Sequence, residues 1–190
     1  MKLKPHRQGD LDGLCGLYSI VNAINQLFDV PDVPKLADDV FRSAALTLPK
    51  GSWPRLLWDG MDFDTLEAAA RKACAKITRN TPITVKVERP FEAEDFANVA
   101  EFAEHLHGVA RPGAYAAAII RLDYAQARGG GAHWTVFGGR RKNQIRIFDG
   151  GTERTLPIRS WRLRGSRGDR FTPKETLLLR IVRIGDEQVP

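Results

Sequence analysis

An apolar helical pattern begins beside a cysteine in residues 12–28, whose sequence is DGLCGLYSIVNAINQLF. Apolar residues recur there at steps of three and four, the period of one buried helix face. Asp12 precedes the pattern and is expected to cap the helix, and Pro31 and Pro34 are expected to end it after Phe28. The apolar positions are Leu14, Leu17, Tyr18, Val21, Ile24 and Phe28.

The chain changes from helical to strand-like patterning along its length. Helices are expected at 35–46, 64–77 and 93–106, and an alternating segment at 83–87 predicts one strand between them. After residue 113, short apolar runs separated by turn residues predict a mostly antiparallel sheet. This segregation predicts an α+β fold in which an N-terminal helical half packs on a C-terminal sheet. The predicted strands are 114–122, 133–137, 144–148, 152–158 and 176–184.

We therefore expect one domain, residues 1–190, with a helical lobe over about 1–110 and a sheet lobe over about 111–190 that share a cleft. Two local expectations concern the helical lobe. Asp64 and Glu67 have the spacing of a capping box, so Asp64 is expected to cap a helix. The apolar side chains of a preceding segment are expected to be partly buried, and they are Trp53, Leu56, Leu57 and Trp58.

The composition excludes several classes of protein. No apolar run is as long as a membrane span, and the N-terminus lacks the apolar region of a secretory signal. Cytoplasmic residence is therefore expected, with signal-less export left open. Two cysteines and four scattered histidines supply neither a disulfide framework nor a zinc site, so we expect no metal and no cofactor. Cys74 lies in an alanine-rich helical pattern and is expected to be a packed, inert thiol.

The net charge of +6 is concentrated in residues 140–170. Ten basic and three acidic residues in this stretch give +7, which accounts for the whole excess. Such a surface binds nucleic acid or an acidic partner, or it is simply solvated. Aromatic residues are not interleaved as a base-stacking surface requires, so nucleic-acid binding is disfavoured and a solvated face is preferred.

Cys15 is the first candidate for chemistry, because it lies in the first turn of the predicted helix. The positive end of a helix favours a thiolate, and the Cys15 backbone N–H has no partner within the helix. That N–H is free to donate to an oxyanion. Gly13 and Gly16 flank the cysteine and are expected to let a substrate approach closely.

Three further residues complete a catalytic arrangement with Cys15. Gln8 precedes the helix and offers a neutral amide donor for an oxyanion, without a charge that would compete for the thiolate. His133 follows a glycine loop at the start of a strand and is a candidate general base. Asp149 ends the next strand, where a hairpin would bring its carboxylate beside the imidazole to orient it. Gly131 and Trp134 flank His133 and are expected to line the substrate site.

The order of these residues resembles that of the papain-like cysteine peptidase superfamily. The resemblance is carried by residues 8–22 and 133–150, about a sixth of the chain, and it points to the bacterial branch that includes double-glycine peptidases processing bacteriocin leaders. It implies a papain-like fold and a cysteine peptidase with Cys15, His133, Asp149 and Gln8 in the catalytic roles. The spacing from Gln8 to Cys15 is longer than in papain, and nothing resembles a bacteriocin transporter.

The substrate is less well defined than the chemistry. Glycines around the candidate groups suggest a narrow slot for small residues, such as a peptide that ends in glycine, and the arginine-rich stretch suggests acidic peptides. A peptide or protein substrate is expected, without a membrane partner. Alternatives are a thiol acyltransferase or deamidase of the transglutaminase-like kind, which uses the same triad, and a non-catalytic papain-like module that binds a partner through its basic face.

Overall fold

The computed structural model describes residues 13–28, 34–110, 115–125, 131–149, 152–163, 168–184 and 187–188. The fold is α+β, as expected, with helices that precede most of the strands. The helices are α1 (Cys15–Phe28), α2 (Pro34–Ala45), α3 (Trp53–Asp59), α4 (Phe63–Asn80) and α5 (Val99–Ala110). The strands are β1 (Ile83–Glu88), β2 (Ala116–Asp123), β3 (Ala132–Arg141), β4 (Gln144–Asp149), β5 (Thr152–Pro157), β6 (Arg170–Phe171), β7 (Leu177–Ile184) and β8 (Glu187–Gln188).

The strands form one sheet with the order β1-β7-β2-β3-β4-β5, in which β6 pairs with β2 and β8 pairs with β7. The ladders between these strands are antiparallel. Strands β3 and β4 form a hairpin, which confirms the pairing expected for the strands that carry His133 and Asp149. None of the helices among the described residues is long and apolar enough to cross a membrane.

The sheet separates two hydrophobic cores. Successive residues of a strand point to opposite faces, so Val136 joins the core of α1, α2 and α4 while Phe137 joins the core of α5. We call these two sides of the sheet the α1 face and the α5 face. The expected helical lobe is therefore divided, because α5 packs on the face opposite α1. The same alternation in β2 sends Ile119 to the α1 face and Ile120 to the α5 face.

Helix α1 is the centre of its core. Leu17, Ile20 and Ile24 have no solvent exposure, and each buried side chain of this size contributes roughly 1.5–3 kcal/mol of transfer free energy. The polar side chains of Ser19 and Asn22 are buried as well. Protein therefore surrounds this helix on nearly all sides, and its first residue is held firmly by packing.

The N-terminal cap of α4 is Asp62, and the expectation that Asp64 caps this helix is wrong. Asp62 has an extended backbone, and its carboxylate accepts a hydrogen bond from the Thr65 backbone N–H at 2.8 Å. That hydrogen bond holds the pKa of the Asp62 carboxyl below its usual value. Since Phe63 already packs against the core of the α1 face, the helix begins one residue before Asp64. Glu67 is not part of a capping box but binds arginine side chains.

The helix predicted at 93–106 is displaced along the chain and occupies 99–110. Asn98 explains the start, because its side-chain oxygen accepts a hydrogen bond from the Glu101 backbone N–H at 3.0 Å. Before it, Phe91 and Phe96 pack edge-on against each other, and Phe91 also packs against Phe102 of the helix. This aromatic cluster holds the preceding residues as turns in place of a longer helix.

Candidate active site

Cys15 is the first residue of α1, and its sulfur contacts the start of strand β3. The Trp134 backbone N–H donates to the Cys15 Sγ at 3.5 Å, and the thiol lies 3.9 Å from the Gly13 carbonyl oxygen. The cysteine is buried, with 6% of its surface exposed. The residue immediately before Trp134 is His133. The fold therefore brings the candidate nucleophile to the backbone beside the candidate base.

The sulfur contact lies beyond the described part of the β3–β4 ladder. The last described pair of this ladder at this end joins Val136 to Phe148, and Trp134 lies two residues beyond it along β3. A buried backbone N–H needs an acceptor. The Cys15 sulfur supplies that acceptor for Trp134, which ties the start of α1 to the start of β3.

The Trp134 side chain forms a wall on the α1 face. Its indole Nε1 donates to the Met61 carbonyl oxygen at 2.9 Å, and its ring stacks on Phe63 with centroids 6.0 Å apart. The Arg121 guanidinium carbon lies 5.8 Å from the ring centroid. Since only 2% of Trp134 is exposed, these internal contacts account for the residue, and little of the ring is left to line a substrate site.

Packing, not an open slot, accounts for the two glycines beside Cys15. A Cβ on Gly13 would lie 2.7 Å from the Gly60 nitrogen, and a Cβ on Gly16 would overlap the side chain of Met61. Protein atoms thus fill the space that was expected to admit a substrate. Gly131 differs from both, because a Cβ there would meet nothing within 4 Å and its φ of +98° favours glycine. The reason for expecting a slot for small residues is therefore lost at Gly13 and Gly16.

His133 lies at the second position of β3, where the Tyr124 ring packs beside it on the α5 face. It pairs with Leu122, a residue of the α5-face core, and its ring centroid lies 6.3 Å from that of Tyr124. Tyr124 packs in turn against Trp161, with centroids 5.8 Å apart. The Cys15 sulfur reaches β3 from the α1 face. The imidazole and the thiol therefore approach the same short stretch of β3 from its two faces.

Asp149 is the last residue of β4 and pairs with Thr152 of β5. It follows Phe148, the partner of Val136, so the continued register places it across from Thr135 and diagonal to His133. Diagonal positions on neighbouring strands are roughly 7–8 Å apart, within reach of long side chains. The side chain of Asp149 and the whole of Gln8 lie outside what the structure describes, as does the expected cap Asp12.

A segment that sequence reasoning did not assign to the site, residues 56–61, bridges the two elements that carry the candidate groups. The Leu57 carbonyl oxygen accepts a hydrogen bond from the Gly13 backbone N–H at 2.5 Å, just before Cys15. At its other end the Met61 carbonyl accepts the Trp134 indole N–H. No residue type in this segment signals such a role, because both of these hydrogen bonds are accepted by backbone carbonyls.

Asp169 is a second residue that the sequence did not single out. It is buried, and its carboxylate accepts a hydrogen bond from the Ala125 backbone N–H at 3.0 Å. This bond holds the chain directly after Tyr124, whose ring packs on His133. A lone Asp between two predicted strands carries no sequence signal for such a contact.

Cys74 is confirmed as a packed thiol. It lies in α4 with 1% of its surface exposed, and burial raises its pKa to about 12. At neutral pH such a thiol is almost entirely protonated.

No protein-family model matches this chain, and no curated protein matches its sequence. A functional assignment therefore depends on the geometry around Cys15 and on the short motifs that resemble those of papain-like enzymes.

Proposed function

We propose that the protein is a cysteine peptidase that hydrolyses peptide or isopeptide bonds, with Cys15 as the nucleophile and His133 as the general base. In this proposal Asp149 orients the imidazole, and Gln8 and the Cys15 backbone N–H stabilise the oxyanion. The observation that carries the proposal is the hydrogen bond between the Trp134 backbone N–H and the Cys15 sulfur, directly beside His133.

The surroundings of the sulfur support a nucleophilic role. Cys15 is the first residue of α1, where the positive end of the helix dipole stabilises negative charge. The Trp134 backbone N–H also points its positive end at the sulfur, which favours negative charge there. A backbone N–H donor at the sulfur, together with the helix start, is more than packing a thiol requires, since a buried cysteine behaves as a small apolar residue.

The proposed reaction has two stages. The proposal requires the imidazole of His133, at the second position of β3, to turn around the start of this strand to the Cys15 side, where it takes the proton of the thiol. The sulfur attacks the carbonyl carbon of the scissile bond, so that an S–C bond forms and a tetrahedral oxyanion develops. The imidazolium then gives its proton to the leaving amine as the C–N bond breaks, which leaves a thioester. Water, deprotonated by His133, attacks the thioester, and the carboxylic acid leaves as the thiol is restored.

The start of α1 suits the oxyanion. The Cys15 backbone N–H is the first of the helix and has no acceptor inside it. Removing one such donor costs about 100- to 1000-fold in rate in well-studied hydrolases. Gln8 is proposed as the second donor, on the strength of the resemblance alone.

A peptide library analysed by mass spectrometry tests this proposal. Wild-type protein and the Cys74→Ala variant are expected to generate the same cleavage products, while Cys15→Ala generates none. Cys74→Ala is the matched control, because it also removes a buried thiol from the α1-face core. Equal cleavage by Cys15→Ala and wild type would refute the proposal. Adding a primary amine tests the alternative fate of the thioester, since amide products in place of acids would identify an acyltransferase.

A further inference from the structure

Trp58 is a large aromatic side chain that faces solvent, and the expectation that it is partly buried is wrong. Its exposed fraction is 74%, although it lies in α3 directly after Leu56, which is buried, and Leu57, which packs against the α1-face core. A helix of this length turns one stripe inward, and Trp58 falls outside that stripe. A single exposed apolar residue needs no explanation by itself, so its position is what matters.

The position of Trp58 is fixed by contacts on either side of it. On one side, the Leu57 carbonyl accepts the Gly13 N–H, two residues before Cys15. On the other side, the Met61 carbonyl accepts the Trp134 indole N–H, and the Met61 side chain covers Gly16. The backbone that carries Trp58 is therefore bound to the start of α1 and to the start of β3, the two elements that present Cys15 and His133.

We infer that Trp58 binds an apolar side chain of the peptide substrate at the rim of the Cys15 site. This inference rests on the proposed thiol chemistry and specifies its substrate class. A tryptophan offers a large, rigid apolar surface that loses little conformational entropy on binding, and it is among the residues that contribute most to recognition. Because its backbone is anchored to both elements, Trp58 lies near the start of α1, which carries the sulfur.

The charges beside Trp58 favour an apolar occupant over a charged one. Arg55 and Asp59 are both exposed on the same short helix, and their charges are opposite. Their charges offset each other, so α3 itself does not select an acidic or a basic side chain at the rim. The basic stretch at 140–142 lies at the end of β3 away from His133, so it does not contribute to this rim.

Alkylation of Cys15 by a matched pair of reagents tests the inference without a known substrate. The probes are iodoacetyl-leucyl-phenylalanine amide and iodoacetyl-seryl-asparagine amide, with iodoacetamide as the reference for intrinsic reactivity. Wild-type protein is expected to react at Cys15 about tenfold faster with the apolar probe than with the polar one, and Trp58→Ala is expected to bring this ratio near one. Trp58→Phe is expected to retain most of the preference.

The matched control is Ile184→Ala, which removes another exposed apolar side chain at the far end of β7. It is expected to leave the ratio unchanged. A wild-type ratio near one, or a ratio that Trp58→Ala leaves unchanged, would overturn the inference while iodoacetamide labelling still supports the reactive thiol. No labelling of Cys15 by any of the three reagents would overturn the proposed function and this inference with it.

Discussion

The two cysteines lie in the same hydrophobic core but in different local settings. Cys74 is in the middle of α4, where burial raises its pKa to about 12 despite the opposing charge of Arg71. Cys15 is at the first position of α1, where the Trp134 N–H from another element donates to its sulfur. Both side chains are largely shielded from solvent, so exposure does not separate them. The difference teaches that backbone dipoles around a sulfur, more than its depth, distinguish a candidate nucleophile from a packing residue.

The largest expected effect is a difference in alkylation rate between the two thiols. With a pKa of about 12, roughly one Cys74 side chain in 100,000 is a thiolate at pH 7. Cys15 is expected to react with iodoacetamide at least about 1000-fold faster than Cys74 at this pH. Mass spectrometry of tryptic peptides measures both rates in one sample, and similar rates would remove the distinction between the two sites.

The second prediction concerns the base. His133→Ala is expected to slow peptide cleavage about 100-fold or more, because a positioned general base contributes rate enhancements of this order. The control is His105→Ala, since His105 lies on α5, where its ring contacts the Glu101 carbonyl and the ring of Phe96. Activity of His133→Ala equal to that of the His105 variant would remove the imidazole from the mechanism.

The third prediction changes stability and leaves the thiol chemistry intact. The Arg89 guanidinium binds the Glu67 carboxylate, a buried group on the helix that carries Cys74, and holds its pKa below the usual value. Glu67→Gln is expected to lower the free energy of unfolding by about 1–2 kcal/mol at pH 7. Asp64→Asn is the control, because its side chain is 87% exposed, and it should change stability by less than about 0.5 kcal/mol.

The pH dependence of that difference has a defined sign. A carboxyl whose pKa is lower in the folded protein stabilises it above the unfolded value of about 4.3, and the contribution is lost as pH falls through the lower, folded pKa. The difference in free energy of unfolding between wild type and Glu67→Gln is therefore expected to be largest at pH 7 and to become smaller in acid. Urea denaturation at a series of pH values measures it. A gap that is independent of pH, or a changed Cys15 labelling rate, would contradict a purely stabilising role for Glu67.

Local sequence signals were sufficient for much of the fold. The three- and four-residue spacing of Leu17, Ile24 and their neighbours predicted α1, because the apolar face of that helix packs into the α1-face core. The alternation of β3 and β4 around a short polar turn predicted their hairpin. The placement of α5 on the face of the sheet opposite α1 was not predictable. It depends on contacts between segments that are distant in the sequence.

The errors at α3 and α4 have a similar cause. Asp62 and Asp64 carry the same capping group, and only the burial of Phe63 decides where the helix starts. Trp58 has the same apolar character as Leu57, and only tertiary packing decides which of them turns inward. For the site, the sequence placed Cys15 and His133 on a helix start and a strand start. The contact between the sulfur and Trp134 follows from packing between distant segments and has no local signal.

The position of β7 constrains the order in which this protein acquires its structure. Strands β2, β3, β4 and β5 follow one another as hairpins, but β7 lies between β1 and β2 and pairs with both. During synthesis β1 emerges first, and about ninety residues separate it from its partner strand. The central sheet can close only after the ribosome has delivered residues 177–184, so the chain is expected to fold late and to expose its apolar strands to chaperones until then.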